Sequence, residues 1–218
     1  MGAIYSKGKY ILFPDPDDIL SKNIINICYK YAEKKKYEII RFDILIGNDK
    51  ILLYSKNKSF ENKPIYQPEL STYMFYGNNN ELERIDTNLC NKFIKKEVFI
   101  KALNSLKNKY LKMYITSGED QMITYILYRK AESFFYLKKI GYYYIKNSIS
   151  ITNNLNKILG LTLEFKYIFL KLFFDYSKNN KYEKDIANYI FTKYIKGDFS
   201  NLRNNFQFFK NIINIYLN

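Results

Sequence analysis

Two spacings of apolar residues alternate along the chain up to position 150, and they predict different elements. Residues 10–13 form a continuous β-prone run that reads as a buried strand. After Ser21, a candidate helix cap, Ile24, Ile25, Ile27, Cys28, Tyr31 and Ala32 give a helix its apolar face. In EIIRFDILI, residues 38–46, Ile40, Phe42 and Ile44 alternate with Arg41 and Asp43, the pattern of a half-buried strand. GNDK then makes a turn, and residues 51–54 return as a hairpin partner. Residues 56–68 are polar, contain two prolines and read as loop; residues 69–76 read as a short helix stopped by GNNN. NLCNKFI predicts a strand. Residues 96–106 predict a helix with Val98, Phe99, Ala102 and Leu103 on one side, and MYIT a short strand. Residues 119–131 predict a helix turning Met122, Ile123, Ile126 and Leu127 inward, and SFFYLKKIGYYYIK a strand or hairpin.

Beyond Ser150 the texture changes. Residues 155–176, 181–196 and 202–217 carry helical patterns separated by Asn-rich joints. The expected architecture is therefore an α/β domain over residues 1–150 and a helical C-terminal extension over residues 151–218. A chain of 218 residues with 47% apolar content can bury a core of that kind. The last helix is apolar around most of its circumference, which suits core packing or docking on a membrane or partner.

Composition narrows the chemistry. The chain has no His, so acid–base work falls to Asp, Glu, Lys or Tyr. Cys28 and Cys90 have no metal-like spacing and point to a reducing, cytoplasmic setting. No 18-residue apolar run is long enough to span a bilayer, and no signal sequence is visible. The net charge of +14 is spread along the chain, with ten of 35 basic and five of 21 acidic residues after position 150. The densest cluster, EKKKYE, is flanked by Glu33 and Glu38 and ends a predicted helix, where cations suit the macrodipole. That is no nucleic-acid arm, but it leaves anionic partners open, a membrane surface included.

Against this basic background, KYILFPDPDDIL places Asp15, Asp17 and Asp18 directly after the first strand. Asp and Pro are turn formers, and Asp18 or Ser21 capping the next helix would be a sufficient structural reason for them. The alternative is a cation site, because D-x-D beyond a strand end offers two carboxylates to one Mg²⁺ or Mn²⁺. The sequence does not fit an EF-hand. It fits in part a dehalogenase-type phosphohydrolase with Asp15 as nucleophile, although Ile19 stands where such sites place Thr or Val. It also fits a nucleotide-sugar transferase. A second acidic motif, SGEDQMITYILYRKA, sets Glu119 and Asp120 in the first turn of a helix, where Ser117 and Asp120 also make a capping box.

Taken in order, four segments resemble family 2 glycosyltransferases, enzymes of the GT-A fold: GAIYSKGKYILFPDPDD, EIIRFDI, CNKFIKKEVF and SGEDQMITYILYRKAESFFYLKKIGYYYIKNSISIT. The resemblance spans Gly2 to about Ser150. It implies a GT-A-like nucleotide-diphospho-sugar transferase sheet that is incomplete, because the family's base- and ribose-binding half precedes the first of these segments. It implies inverting transfer of a sugar from a nucleotide-sugar donor to a glycan or lipid-linked acceptor. Asp15 and Asp17 would hold the divalent metal and donor diphosphate. Asp18 would face the sugar or support the loop, and Lys92 would neutralise phosphate. Asp120, with Glu119 beside it, would be the general base. A non-catalytic scaffold, or the partner half of a split enzyme, is the competing expectation.

Overall fold

The computed structural model describes residues 2–47, 50–52, 62–75, 86–106, 119–145, 172, 175 and 186. The chain divides into two compact units, Met1–Thr162 and Leu163–Asn218. In the second unit only residues 172, 175 and 186 are described, so the helices expected beyond residue 150 lie outside the described residues, as does the MYIT strand.

In the first unit the elements run α1 (Gly2–Tyr5), β1 (Tyr10–Ile11), β2 (Ile19–Leu20), α2 (Ile24–Lys35), β3 (Ile39–Ile46), β4 (Lys50–Leu52) and β5 (Pro64–Tyr66). A 3₁₀ helix (Glu69–Phe75) follows, then β6 (Lys92–Lys95), α3 (Lys96–Ser105), α4 (Glu119–Lys130) and β7 (Ser133–Tyr144). The strands form one mixed sheet in the order β1-β6-β3-β7-β2, with β4 paired to β3 and β5 to β7. Among the described residues only the central β3–β7 pair is parallel, aligning Ile39 with Phe134 and Ile46 with Tyr144. Among the described residues no helix is long and apolar enough to cross a membrane.

Several expectations shift. The first strand is cut to Tyr10–Ile11, because the chain turns at the prolines. Neither Ser21 nor Asp18 caps α2: Asn23 holds the cap position without a side-chain bond, and Ser21 gives only its backbone carbonyl to the Ile24 N–H. The segment expected as loop contains β5, with Pro64 at the first strand position, where a missing N–H is tolerated. The segment expected from residue 133 onward as strand or hairpin forms one long strand, Ser133–Tyr144.

The largest departure is in β3, which is buried on both faces. Ile40, Phe42 and Ile44 pack with Ile24, Cys28 and Ala32 of α2, with Phe93, and with Phe135 and Tyr142 of β7. Arg41 and Asp43, expected on a solvated face, are 1% and 3% exposed. They belong to a polar layer between sheet and helices. The Tyr136 hydroxyl donates to Asp43 Oδ1 at 2.6 Å, and the Arg41 guanidinium lies 4.5 Å from the Tyr136 ring centre and 3.5 Å from Asp86 Oδ1. Alternation of charged and apolar residues reads as one wet face only when nothing buries the charges; here opposite charges cover each other.

Gly141 shows how tightly the apolar side is filled. A Cβ there would meet Phe42 Cδ2 at 2.4 Å and Ile24 Cγ1 at 2.5 Å, and both side chains are fully enclosed. Gly141→Ala is expected to cost about 1–3 kcal/mol, the usual range for overpacking a filled core. Urea unfolding of the two proteins measures it.

Candidate active site

Three segments meet at one end of the sheet: the turn after β1, the loop entering β6, and the N-terminus of α4. The first holds Asp15, Asp17 and Asp18. Phe13 anchors its start against Phe99 of α3, with ring centres 4.8 Å apart. The Asp18 N–H donates to the Asp15 carbonyl at 3.2 Å, closing the turn. The Tyr142 hydroxyl then ties it to β7, accepting from the Asp15 N–H at 3.0 Å and donating to Asp18 Oδ2 at 2.7 Å. The Ile145 N–H donates to Asp18 Oδ1 at 2.8 Å. Asp15 and Asp17 are left exposed.

Helix α4 is held at both ends. At its C-terminus the Gln67 side-chain amide donates to the Tyr128 and Ala131 carbonyls, at 2.8 and 2.6 Å, satisfying groups that a helix end leaves orphaned. At its N-terminus the Leu89 N–H donates to Asp120 Oδ2 at 3.1 Å, and Thr124 Oγ1 donates to the Thr87 carbonyl at 3.3 Å. Loop 86–91 thus lies against the first turns of α4. Its other side is fixed by Asn91, whose side-chain amide donates to the Phe42 carbonyl at 3.0 Å while Phe42 N–H donates back to the Asn91 carbonyl at 3.1 Å.

Beneath that loop lies Lys92. It is fully buried, and its ammonium donates to Asp86 Oδ1 at 2.7 Å, to Asn91 Oδ1 at 3.2 Å and to the Asn88 carbonyl. The Tyr128 hydroxyl donates to the other Asp86 oxygen. Burial pulls the Lys92 ammonium down from its ordinary value and Asp86 opposes the fall. Lys92 was expected at the donor phosphates. The structure places it instead in the floor of the loop with its donors already engaged. Arg41, Lys92, Asp43 and Asp86 make a layer with two groups of each sign.

The electrostatics connect the acidic segments. Burial raises the Asp120 carboxyl above its ordinary value; the Leu89 N–H opposes this, and the charges of Glu119 and Asp15 add to it. The Asp15 carboxyl is raised by partial desolvation, then by Asp18 and Asp17, with Glu119 contributing from across the gap. The Cys90 thiol feels both segments. Burial, with Asp120, Asp15 and Asp18, pushes its thiol up to about 12 against the pull of Lys92, so it stays protonated and unreactive. Sequence reading took Cys90 only as a pointer to a reducing setting and did not single out Tyr142 from the tyrosines beside it. Its hydroxyl partners lie over a hundred residues away, so no local pattern announces them.

Among the described residues no three His, Cys, Asp or Glu side chains stand together as a metal-binding group. An all-protein cage is therefore not offered here. Two exposed carboxylates with crowded negative charge fit a hard cation completed by phosphate oxygens and water, the usual manner for Mg²⁺.

The chain is 30% identical over 155 residues to the uncharacterized glycosyltransferase MG060 of Mycoplasma genitalium, covering 67% of this chain and 44% of that protein. It is 25% identical over 147 residues to the minor teichoic acid biosynthesis protein GgaB of Bacillus subtilis, covering 66% of this chain and 14% of GgaB. Among solved structures, S. aureus TarS 1-349 in complex with UDP-GlcNAc superimposes with a TM-score of 0.57 at 13% identity, over 91% of this chain and 53% of that one. TarS 1-349 in another crystal structure gives 0.55 at 16% identity, over 93% and 50%. At such identities the likeness to TarS is one of fold. The chain spans less than half the length of the curated relatives and about half of the TarS fragment. No protein-family model matches it.

Two outcomes follow from this geometry. Lys92→Met leaves Asp86 short of a buried counter-charge and is expected to lose about 3–5 kcal/mol of stability, read by urea unfolding. For Asp120 the raised carboxyl means that the native state holds its proton more tightly than the unfolded chain. Stability contributed by that proton is present at low pH and lost as pH rises from the ordinary carboxylate range through the raised value. Asp120→Asn is therefore expected to raise Tm at neutral pH, with the gain vanishing in acid; a scan of Tm against pH shows it.

Proposed function

We propose that the chain carries the acidic centre of a GT-A glycosyltransferase domain of the family 2 type. That domain transfers a sugar, with inversion, from a nucleotide-sugar donor to a glycan or lipid-linked acceptor. The observation that carries this reading is the convergence of two acidic segments, Asp15 and Asp17 from one side and Glu119 and Asp120 from the other, with Asp15 within electrostatic reach of both Glu119 and Asp120. The relatives agree with it: MG060 is a glycosyltransferase by name, and TarS 1-349 forms a complex with UDP-GlcNAc.

In this reading Asp15 and Asp17 hold Mg²⁺ or Mn²⁺ at the donor diphosphate, where the cation would supply neutralisation of the leaving group's developing charge. Asp120 is the general base. One of its oxygens is engaged by the Leu89 N–H, and Oδ1 is the oxygen that receives the acceptor's proton. The acceptor oxygen forms a bond to the anomeric carbon as the bond to the diphosphate oxygen breaks. The electron pair departs with the nucleoside diphosphate, and the proton ends on Asp120. Burial suits this role, since a carboxylate of raised pKa takes a proton more readily. Glu119, exposed at the same helix start, adds negative potential that favours protonation of Asp120. Asp18 supports the loop rather than the sugar, because donors fixed to β7 and to Ile145 engage both its oxygens.

Calorimetric titration with Mn²⁺ and a panel of sugar nucleotides tests the reading. Metal-dependent binding is expected, lost in Asp15→Asn. Asp120→Asn is expected to lower transfer by about 100-fold or more while leaving donor affinity within about twofold, the pattern of a lost general base. In the wild type, transfer is expected to fall as pH drops through the raised Asp120 value, because the base must be ionised. Phosphomonoester hydrolysis that depends on Asp15, without sugar-nucleotide binding, would replace this reading with a phosphohydrolase.

A further inference from the structure

We infer that Tyr142 is the positioning residue of this site, its hydroxyl fixing where Asp15 is presented and holding Asp18 apart from the cation's ligands; the inference rests on the reading above. The backbone of Tyr142 cannot drift. It lies in β7 between two strands, opposite Leu20 of β2 and Ile44 of β3. The preceding Gly141 is closed in by Phe42 and Ile24, and its carbonyl accepts from the Ser21 N–H at 2.9 Å. The ring itself is fully buried in the core cluster.

Its hydroxyl has one proton; Asp18 Oδ2 accepts it at 2.7 Å, and the Asp15 carboxyl is close enough to be drawn down by the same hydroxyl. Donating to Asp18 Oδ2 turns the oxygen's lone pairs toward the Asp15 N–H. The Ile145 N–H takes the second Asp18 oxygen, and the Asp18 N–H returns to the Asp15 carbonyl. These four bonds close a ring in which Asp18 is the internal acceptor and Tyr142 the fixed post. Three carboxylates in a short turn repel one another, and a free turn would spread them. The ring spends one of them on its own donors and leaves Asp15 and Asp17 facing solvent. Hydrogen bonds to a charged acceptor are the stronger ones, so the arrangement survives the repulsion it contains.

Tyr142→Phe keeps the ring in the core and removes only the post. In the metal-free protein, amide hydrogen exchange at Asp15 and Ile145 is expected to quicken about tenfold, the effect of losing one charge-linked hydrogen bond. Exchange at Phe42 in the neighbouring strand is expected to stay unchanged. With UDP present, Mn²⁺ affinity by calorimetry is expected to fall about tenfold. Should Tyr142→Phe fail to fold, Asp18→Asn sets an amide NH₂ against one of the two donors and is expected to give both changes. Unchanged exchange at Asp15, or unchanged Mn²⁺ affinity when Asp15→Asn has lost it, overturns the role of Tyr142 and leaves the proposed function standing. A wild-type protein that binds no Mn²⁺ with UDP, or an Asp15→Asn variant that binds as well as wild type, overturns the proposed function and the inference with it.

Discussion

Like charges do not gather at one end of a sheet unless something holds them there. The fixed hydrogen-bond donors around these carboxylates are the constraint on which the rest of this structure depends. Asp18 is held by the Tyr142 hydroxyl and the Ile145 N–H, and Asp120 by the Leu89 N–H. All three donors are set by the backbone of β7, its immediate exit, or the loop before β6. The sheet therefore decides where negative charge is concentrated. No basic side chain pairs with Asp15, Asp17 or Asp120 among the ion pairs of the described residues, and Lys92 acts on Asp120 only through its field.

Those donors need a stiff floor, and the buried charged layer supplies it. Lys92 and Arg41 face Asp86 from two strands, while Tyr128 of α4 reaches the same carboxylate. One acidic side chain from a loop thus joins β3, β6 and α4. Burying such charges brings little net stability, but an unpaired member is expensive, so the layer enforces one arrangement of sheet, loop and helix. Asp120 rides on that arrangement at the start of α4. The chemistry at the surface is in this way linked to a pairing several residues below it.

Much of this was legible in the sequence, for a physical reason in each case. The periodicity of α2, β3, α3 and α4 shows because each buries a continuous stripe, and their observed bounds fall within a residue or two of those expected. The two acidic segments stood out because Asp and Glu are unusual beside apolar strands. What stayed hidden depends on long-range pairing. Arg41 looked solvated because its partner Asp86 lies far away in sequence. Lys92, expected at phosphate, pairs with the same carboxylate only six residues back, across a loop that carries no periodic pattern. Tyr142 was one of three consecutive tyrosines, and only its pairing with a turn near the N-terminus distinguishes it from Tyr143 and Tyr144. The roles of Asp15 and Asp17 at a cation and of Asp120 as base were expectations from resemblance; the structure adds that Asp15 and Asp120 lie within electrostatic reach of each other.

That proximity is also where the account is most directly exposed. Carboxyl-carbon NMR titration of Asp120, in the wild type and in Asp15→Asn, reads it without metal, donor or turnover. An Asp120 midpoint above the ordinary carboxylate value is expected in the wild type, with a downward shift once Asp15 is neutral. An ordinary midpoint, or one that ignores the loss of the Asp15 charge, would place the two acids in separate surroundings and contradict a shared site.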